Sequence, residues 1–186
     1  MTPEPGRMAT ATVLFCDVVG STAQRTTLGD DAADRLAVIL DRTLRGTVAQ
    51  CNGTVVKSTG DGIMAVFDAA SDALGAAVDL QQRMEVRNRT AAETERILLR
   101  IGLSAVDVQF VAHDCHGTPV VEAARLEAAA EAGSIFVSAL VRLLAGSRGG
   151  FRFEPVGLLE LKGLPEPVDT ALAHFNDLVD ELDELL

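Results

Sequence analysis

The sequence predicts an α/β fold of the α+β kind: a ferredoxin-like βαββαβ sandwich with additional C-terminal α/β elements. Three observations point there. Short β-favouring apolar runs alternate with segments of about twenty residues in which apolar side chains recur at helical spacing. Their order is β-α-β-β-α-β before further α/β elements follow. The chain has 186 residues, 48% of them hydrophobic, which is the size and composition of one folded domain with a real core.

Each element has its own local signal. Residues 1–9 include Pro3, Pro5 and Gly6 and are expected to be loose. Residues 11–17 are nearly continuously apolar and read as a strand buried on both faces. Gly20-Ser21-Thr22 breaks that run and can open a helix, with Ser21 or Thr22 as its N-cap. From about residue 30 to 50, Leu36, Ile39, Leu40, Leu44 and Val48 recur with helical period. Asn52-Gly53 marks a turn. Residues 54–58 and 63–67 are two short strands, and Gly60-Asp61-Gly62 between them suits a tight hairpin. Residues 69–90 are helical, with Ala73, Leu74, Ala77, Leu80 and Met84 on one face. Residues 97–103 read as a strand, 104–119 as irregular, and 120–132 as a helix closed by Gly133. A short strand over 134–137, a short helix over 139–145, a loop over 146–150 and late strands over 151–161 and 168–173 complete the pattern. The tail, 176–186, holds five acidic residues and a helical face of Leu178, Val179, Leu182, Leu185 and Leu186; it reads as a packing or partner helix without chemistry. The expected organisation is a loose start (1–9), one folded domain (10–175) and an acidic amphipathic tail (176–186).

Charge and composition exclude several function classes. With 27 acidic and 16 basic side chains the net charge is −11, which repels nucleic acid and anionic membranes. The absence of Trp and Tyr leaves few platforms for stacking single strands. No apolar run reaches the ~18–20 residues of a membrane span, and the start MTPEPGRMAT has no signal-peptide pattern. Cys16, Cys51 and Cys115 are scattered and form no CxxC, so they read as free thiols in a reducing cytosol. The expected location is cytoplasmic. His113-Asp114-Cys115-His116 fits no standard zinc spacing. Neither a phosphate-binding Gly-x-x-x-x-Gly-Lys loop nor a Gly-x-Ser-x-Gly nucleophile turn is present.

Two carboxylates invite chemistry. Asp17 ends the first strand just before the Gly-Ser-Thr turn, where a carboxylate can hold a cation while backbone N–H groups of Gly20, Ser21 and Thr22 face phosphate oxygens. Asp61 sits in the Gly-Asp-Gly hairpin. Taken singly, the first reads as a helix cap and the second as turn chemistry. If the first strand pairs beside the hairpin, however, both lie at one edge of the sheet. Two hard oxygen ligands suit Mg²⁺ or Mn²⁺, and two such ions suit activation of a hydroxyl and stabilisation of leaving pyrophosphate.

Four motifs then stand in order: Leu14-Phe15-Cys16-Asp17-Val18-Val19-Gly20-Ser21-Thr22; Val56-Lys57-Ser58-Thr59-Gly60-Asp61-Gly62; Asp114-x-x-Gly117-x-x-Val120-Val121-x-Ala123-Ala124-Arg125-Leu126; and Leu161-Lys162-Gly163. Over residues 10–175 the chain resembles the class III nucleotidyl cyclases, the adenylyl and guanylyl cyclase catalytic domain, and most of all its compact bacterial members, actinobacterial ones included. The resemblance implies that Asp17 and Asp61 are metal-binding aspartates, joined by the backbone carbonyl of Val18, with two Mg²⁺ or Mn²⁺ ions per site. It implies that Lys57 and Asp114 select the purine, that Arg125 stabilises the transition state, and that Lys162 grips the triphosphate from an opposing subunit. It further implies a head-to-tail homodimer with shared active sites, in which ATP is converted to 3′,5′-cyclic AMP and pyrophosphate. The base choice has a physical reason. Adenine presents N1 as acceptor and N6–H₂ as donor, matching a lysine and an aspartate; guanine reverses the pattern and leaves polar groups mispaired.

The motifs also depart from the family pattern. The family's asparagine four residues before the arginine is Val121 here, which loses a hydrogen bond near the ribose worth ~1.5–3 kcal/mol, or roughly 10–100-fold in rate. A slow enzyme is therefore expected. Val106 and Asp107 stand where related chains carry glycine and a basic or polar residue, and an added anion opposes triphosphate. The alternative to catalysis is a degenerate cyclase-like domain that binds nucleotide or mediates dimerisation without turnover. A more distant alternative is another palm-like phosphoryl-transfer enzyme, such as a dinucleotide cyclase.

Overall fold

The computed structural model describes residues 8–111, 114–146 and 148–175. The chain runs β1 (Met8–Val18), α1 (Ser21–Leu28), α2 (Asp30–Gln50), β2 (Thr54–Ser58), β3 (Ile63–Phe67), α3 (Ala70–Thr90), β4 (Leu99–Val111), β5 (Asp114–His116), α4 (Thr118–Ala129), β6 (Ile135–Ser138), α5 (Ala139–Ala145), β7 (Phe153–Leu159) and β8 (Val168–Ala173). The strands form one sheet in the order β2-β3-β1-β4-β6-β8-β7, with β5 folded back on β4. The first four have the order of a ferredoxin-like βαββαβ unit, and β6, β8 and β7 extend the sheet beyond β4, the first of them parallel to it. The tail, 176–186, and residues 1–7 lie outside the described residues.

Strand β1 shows how the layers arise. Its side chains alternate: Leu14, Cys16 and Val18 join the main core with Leu40, Leu44 and Val48 of α2, Leu74 and Leu80 of α3, and Val141 of α5. Ala11 and Val13 face the other way, onto Met64, Val66 and Ala123 of α4. Each fully buried Leu-sized side chain contributes about 1.5–3 kcal/mol. Inside this apolar layer Gln81 of α3 stays satisfied by donating to the carbonyls of Leu99 and Ser134 at 3.2 and 3.3 Å.

Four local expectations are corrected. Residues 104–111 are not irregular: β4 continues to Val111, paired with β1 down to Met8, and β5 pairs back onto it. Polar Ser104 and Asp107 broke the strand pattern in the sequence, but both find partners across elements: Ser104 donates to Glu122 at 2.8 Å, and Thr10 donates to Asp107 at 2.7 Å. Neither Ser21 nor Thr22 caps α1; Gly20, at φ 71°, is the N-cap, and its carbonyl accepts from the Gln24 N–H. Helix α4 spans 118–129 rather than 120–132, because Pro119 suits a first helical turn. The 146–150 loop contains a short 3₁₀ turn, Arg148–Gly150.

Candidate active site

Helix α4 lies directly on β4 at Gly102. A Cβ there would collide with the Ala123 carbonyl and the Glu127 N–H, so only glycine admits the helix at this depth. That contact sets α4 over the face of the sheet that carries Asp17.

Asp17 is the penultimate residue of β1 and stands opposite Arg100 in the β1–β4 ladder. Arg100 Nη2 donates to Asp17 Oδ2 at 3.0 Å, both side chains being about a third exposed. Arg100 Nε also lies 3.2 Å from Glu127 Oε1. Those two atoms are shut off from solvent and paired by charge without hydrogen-bond geometry. Burial pushes the Glu127 carboxyl above its ordinary range; Arg100 opposes that shift and Asp17 adds to it. Burial likewise pushes the neighbouring Cys16 thiol far up, reinforced by Asp17 and Glu127, so Cys16 is no nucleophile.

Asp61 occupies the turn between β2 and β3, closed by Thr59 N–H donating to the Gly62 carbonyl at 3.0 Å. Any side chain at Gly62 would strike the Cys16 carbonyl and press on Asp17 Cα. Glycine at 62 therefore lets the Asp61 turn seat against the end of β1. Beside it opens a cleft of about 250 Å³ lined by Val18, Ser21, Thr22, Gly60 and Asp61, with Leu36 and Leu40 of α2 among its apolar walls. The donor set is two carboxylates at one end of adjacent strands and a nearby carbonyl, all hard oxygen, which fits Mg²⁺ or Mn²⁺. Among the described residues no group of three or more His, Cys, Asp or Glu is placed to hold a metal, so substrate oxygens and water would complete such a shell.

The remaining expected residues lie elsewhere. Lys57 is exposed on β2 opposite Met64, which is itself opposite Phe15; it thus shares the Asp17 face of the sheet. Asp114 begins β5 opposite Val111, and β5 comes into contact with β2. Arg125 is exposed on α4. The two nearest glutamates on the same helix are engaged elsewhere: Glu122 accepts from Ser104 and Glu127 pairs with Arg100. Val121 is one helical turn before Arg125 and 42% exposed. Lys162 is exposed in the connection from β7 to β8.

The sheet separates two of these groups, Asp114 and Lys162, from Asp17. Because β4 runs antiparallel to β1, the end of β4 from which β5 turns back is the end away from Asp17. From Arg100 to Val111 the strand spans about 36 Å when extended. The β7–β8 connection opens at that same far end, since Thr170 of β8 pairs with Ser138, and β8 lies three strands beyond β1, a further ~14 Å across the sheet. One chain thus gathers Asp17, Val18, Gly20, Ser21, Thr22 and Asp61 at one end and holds Asp114 and Lys162 toward the other.

Arg100 and Glu127 were missed in the sequence reading. The available signal was a single guanidinium inside the apolar run 97–103, but its partner was invisible without the strand register.

Residues 4–175 match the adenylate and guanylate cyclase catalytic domain. A Rhizobium meliloti protein provisionally named adenylate cyclase 3 is 31% identical over 90% of this chain, which spans only 29% of that relative's length. An adenylate/guanylate cyclase/hydrolase from Silicibacter pomeroyi, known by crystal structure, is 33% identical, with a TM-score of 0.79 over 90% of this chain and 97% of its own. The adenylyl cyclase CyaB of P. aeruginosa, at 23% identity, shares the fold with a TM-score of 0.81 over 90% of this chain and 95% of its own; guanylyl cyclase domains share it too. The chain belongs to the adenylate and guanylate cyclase catalytic domain family, the class III nucleotidyl cyclases.

Proposed function

We propose that this chain is an adenylyl cyclase, converting ATP to 3′,5′-cyclic AMP and pyrophosphate at sites shared between two copies. The observation that carries the reading is the separation of groups along the sheet. Asp17 and Asp61 lie at one end, while Asp114 and Lys162, which the family pattern assigns to the same substrate, lie toward the other. A head-to-tail partner would bring the second set to the first.

In this reading Asp17, Asp61 and the Val18 carbonyl hold Mg²⁺ or Mn²⁺, which when bound lowers the pKa of the attacking 3′-hydroxyl and offsets charge on the phosphates. The N–H groups at the start of α1 (Gly20, Ser21, Thr22) face the triphosphate. From the partner, Lys57 donates to adenine N1 and Asp114 accepts from N6. Arg125, free of any ion pair among the described residues, neutralises charge developing at the α-phosphate. Lys162 binds the leaving pyrophosphate. Like-folded proteins include cyclases of both bases, so the choice of ATP rests on Lys57 and Asp114. Val121 makes the expected turnover slow.

The test is cyclic-nucleotide formation by the purified protein with Mn²⁺, comparing ATP with GTP and including Asp17→Ala. Cyclic AMP from the unaltered protein alone is expected. Cyclic GMP instead overturns the base assignment. Nucleotide binding without product favours the second reading, a binding or dimerisation module, for which Val121 is the specific observation. Among the described residues no helix is long and apolar enough to cross a membrane.

A further inference from the structure

We propose that Arg100 and Glu127 are positioning residues that set how tightly Asp17 takes a divalent cation. Arg100 acts as a built-in counter-ion at the carboxylate, and Glu127 draws part of that counter-charge away. This rests on the reading of Asp17 as a metal ligand.

The geometry is specific. Arg100 reaches Asp17 Oδ2 with Nη2 at 3.0 Å and Glu127 Oε1 with Nε at 3.2 Å, so one guanidinium spans two carboxylates. Its place is imposed from two sides. The β1–β4 register sets it opposite Asp17, and the close seat of α4 on Gly102 brings Glu127 over it. Glu127 is the most enclosed of the three, its side chain 13% exposed against 29% and 31% for Arg100 and Asp17. A dication approaching Asp17 meets a positive charge already bonded to one of the oxygens it needs. For the oxygen to turn to the metal, the guanidinium must give up that bond, and Glu127 offers it a second anion on which to remain. The pair would keep the Asp17 carboxylate oriented without cation and release it when one binds.

This makes the two neighbours act with opposite sign. In Arg100→Gln the competing charge is gone, and Mn²⁺ should bind about tenfold more tightly, as expected for one full charge at a partly exposed site. In Glu127→Gln, close in shape to the original, the guanidinium is left to Asp17 alone, and Mn²⁺ should bind several-fold more weakly. A purely structural role would weaken binding in both variants.

The experiment is a titration of the full chain with Mn²⁺ alone, read by the loss of the free-ion paramagnetic resonance signal, on the unaltered protein, Arg100→Gln, Glu127→Gln and Asp17→Asn, each first checked by thermal melting. Opposite shifts for the two neighbours, with binding lost in Asp17→Asn, are the expected result. Binding lost in Asp17→Asn but unchanged or shifted the same way in both neighbours overturns the counter-ion proposal while leaving the metal reading intact. Unchanged Mn²⁺ binding in Asp17→Asn overturns the metal reading itself, and with it this one. Should Arg100→Gln not fold, Glu127→Gln decides alone: failure to weaken Mn²⁺ binding overturns the proposal.

Discussion

Val121 projects from α4 with 42% of its surface exposed, one turn before Arg125, and replaces the hydrogen-bonding asparagine of the family pattern. Because the side chain bears little of the core, Val121→Asn should leave the melting temperature nearly unchanged. It should raise kcat by about 10–100-fold if the restored amide aligns the ribose, the equivalent of one added hydrogen bond at a reacting centre; initial rates of cyclic AMP formation check this. Asp107, the other departure, lies toward the end of β4 from which β5 and Asp114 turn back. It accepts from the Thr10 hydroxyl at the far end of β1, about seven residues of extended strand, or ~23 Å, from Asp17. Within one chain its charge is kept well away from the carboxylates expected to hold the metal.

At the scale of elements, α4 is the piece on which the site depends, since it carries Arg125 outward and Glu127 inward and rests its backbone on β4 at Gly102. Gly102→Ala would push the helix off the sheet. A loss of about 1–3 kcal/mol in unfolding free energy is expected, the usual cost of overpacking, with activity reduced as Arg125 and Glu127 shift; urea midpoints and rates measured together check this. Gly46 supplies the contrast. It lies inside α2, and a Cβ there meets nothing within 4 Å. Gly46→Ala should therefore gain about 0.5–1 kcal/mol from helix propensity alone.

For the molecule as a whole, the arrangement of the sheet makes the partner the central question. If two copies share each site, Asp17→Ala and Arg125→Ala, each inactive alone, should regain activity when mixed. A hybrid dimer carries one intact site out of two, and random pairing makes half of all dimers hybrid, so about a quarter of the unaltered rate is expected. The measurement is cyclic AMP formation after co-incubation at several protein concentrations, with both variants shown folded. Absence of any rescue would mean that the residues act within one chain.

Much of this molecule was legible locally. The periodic apolar runs yielded the order of elements up to β4, because burial on one face writes a period of two or 3.6 into the chain. Asp17 and Asp61 were recognisable as a pair, because a strand end and a Gly-Asp-Gly turn each have a local signature. By itself the sequence thus determined the fold class, the family and the residues on which chemistry can be placed. Tertiary structure alone decided three other matters. The outer half of β4 depends on partners for Ser104 and Asp107 that are supplied by α4 and β1, so its polar residues look like loop until those elements pack. The Asp17–Arg100–Glu127 group exists only once the β1–β4 register and the contact at Gly102 bring together residues 83 and 27 positions apart in sequence. The division of the expected site between opposite ends of the sheet follows from strand direction. Spacing along a chain does not encode that direction, because parallel and antiparallel neighbours can carry the same local pattern.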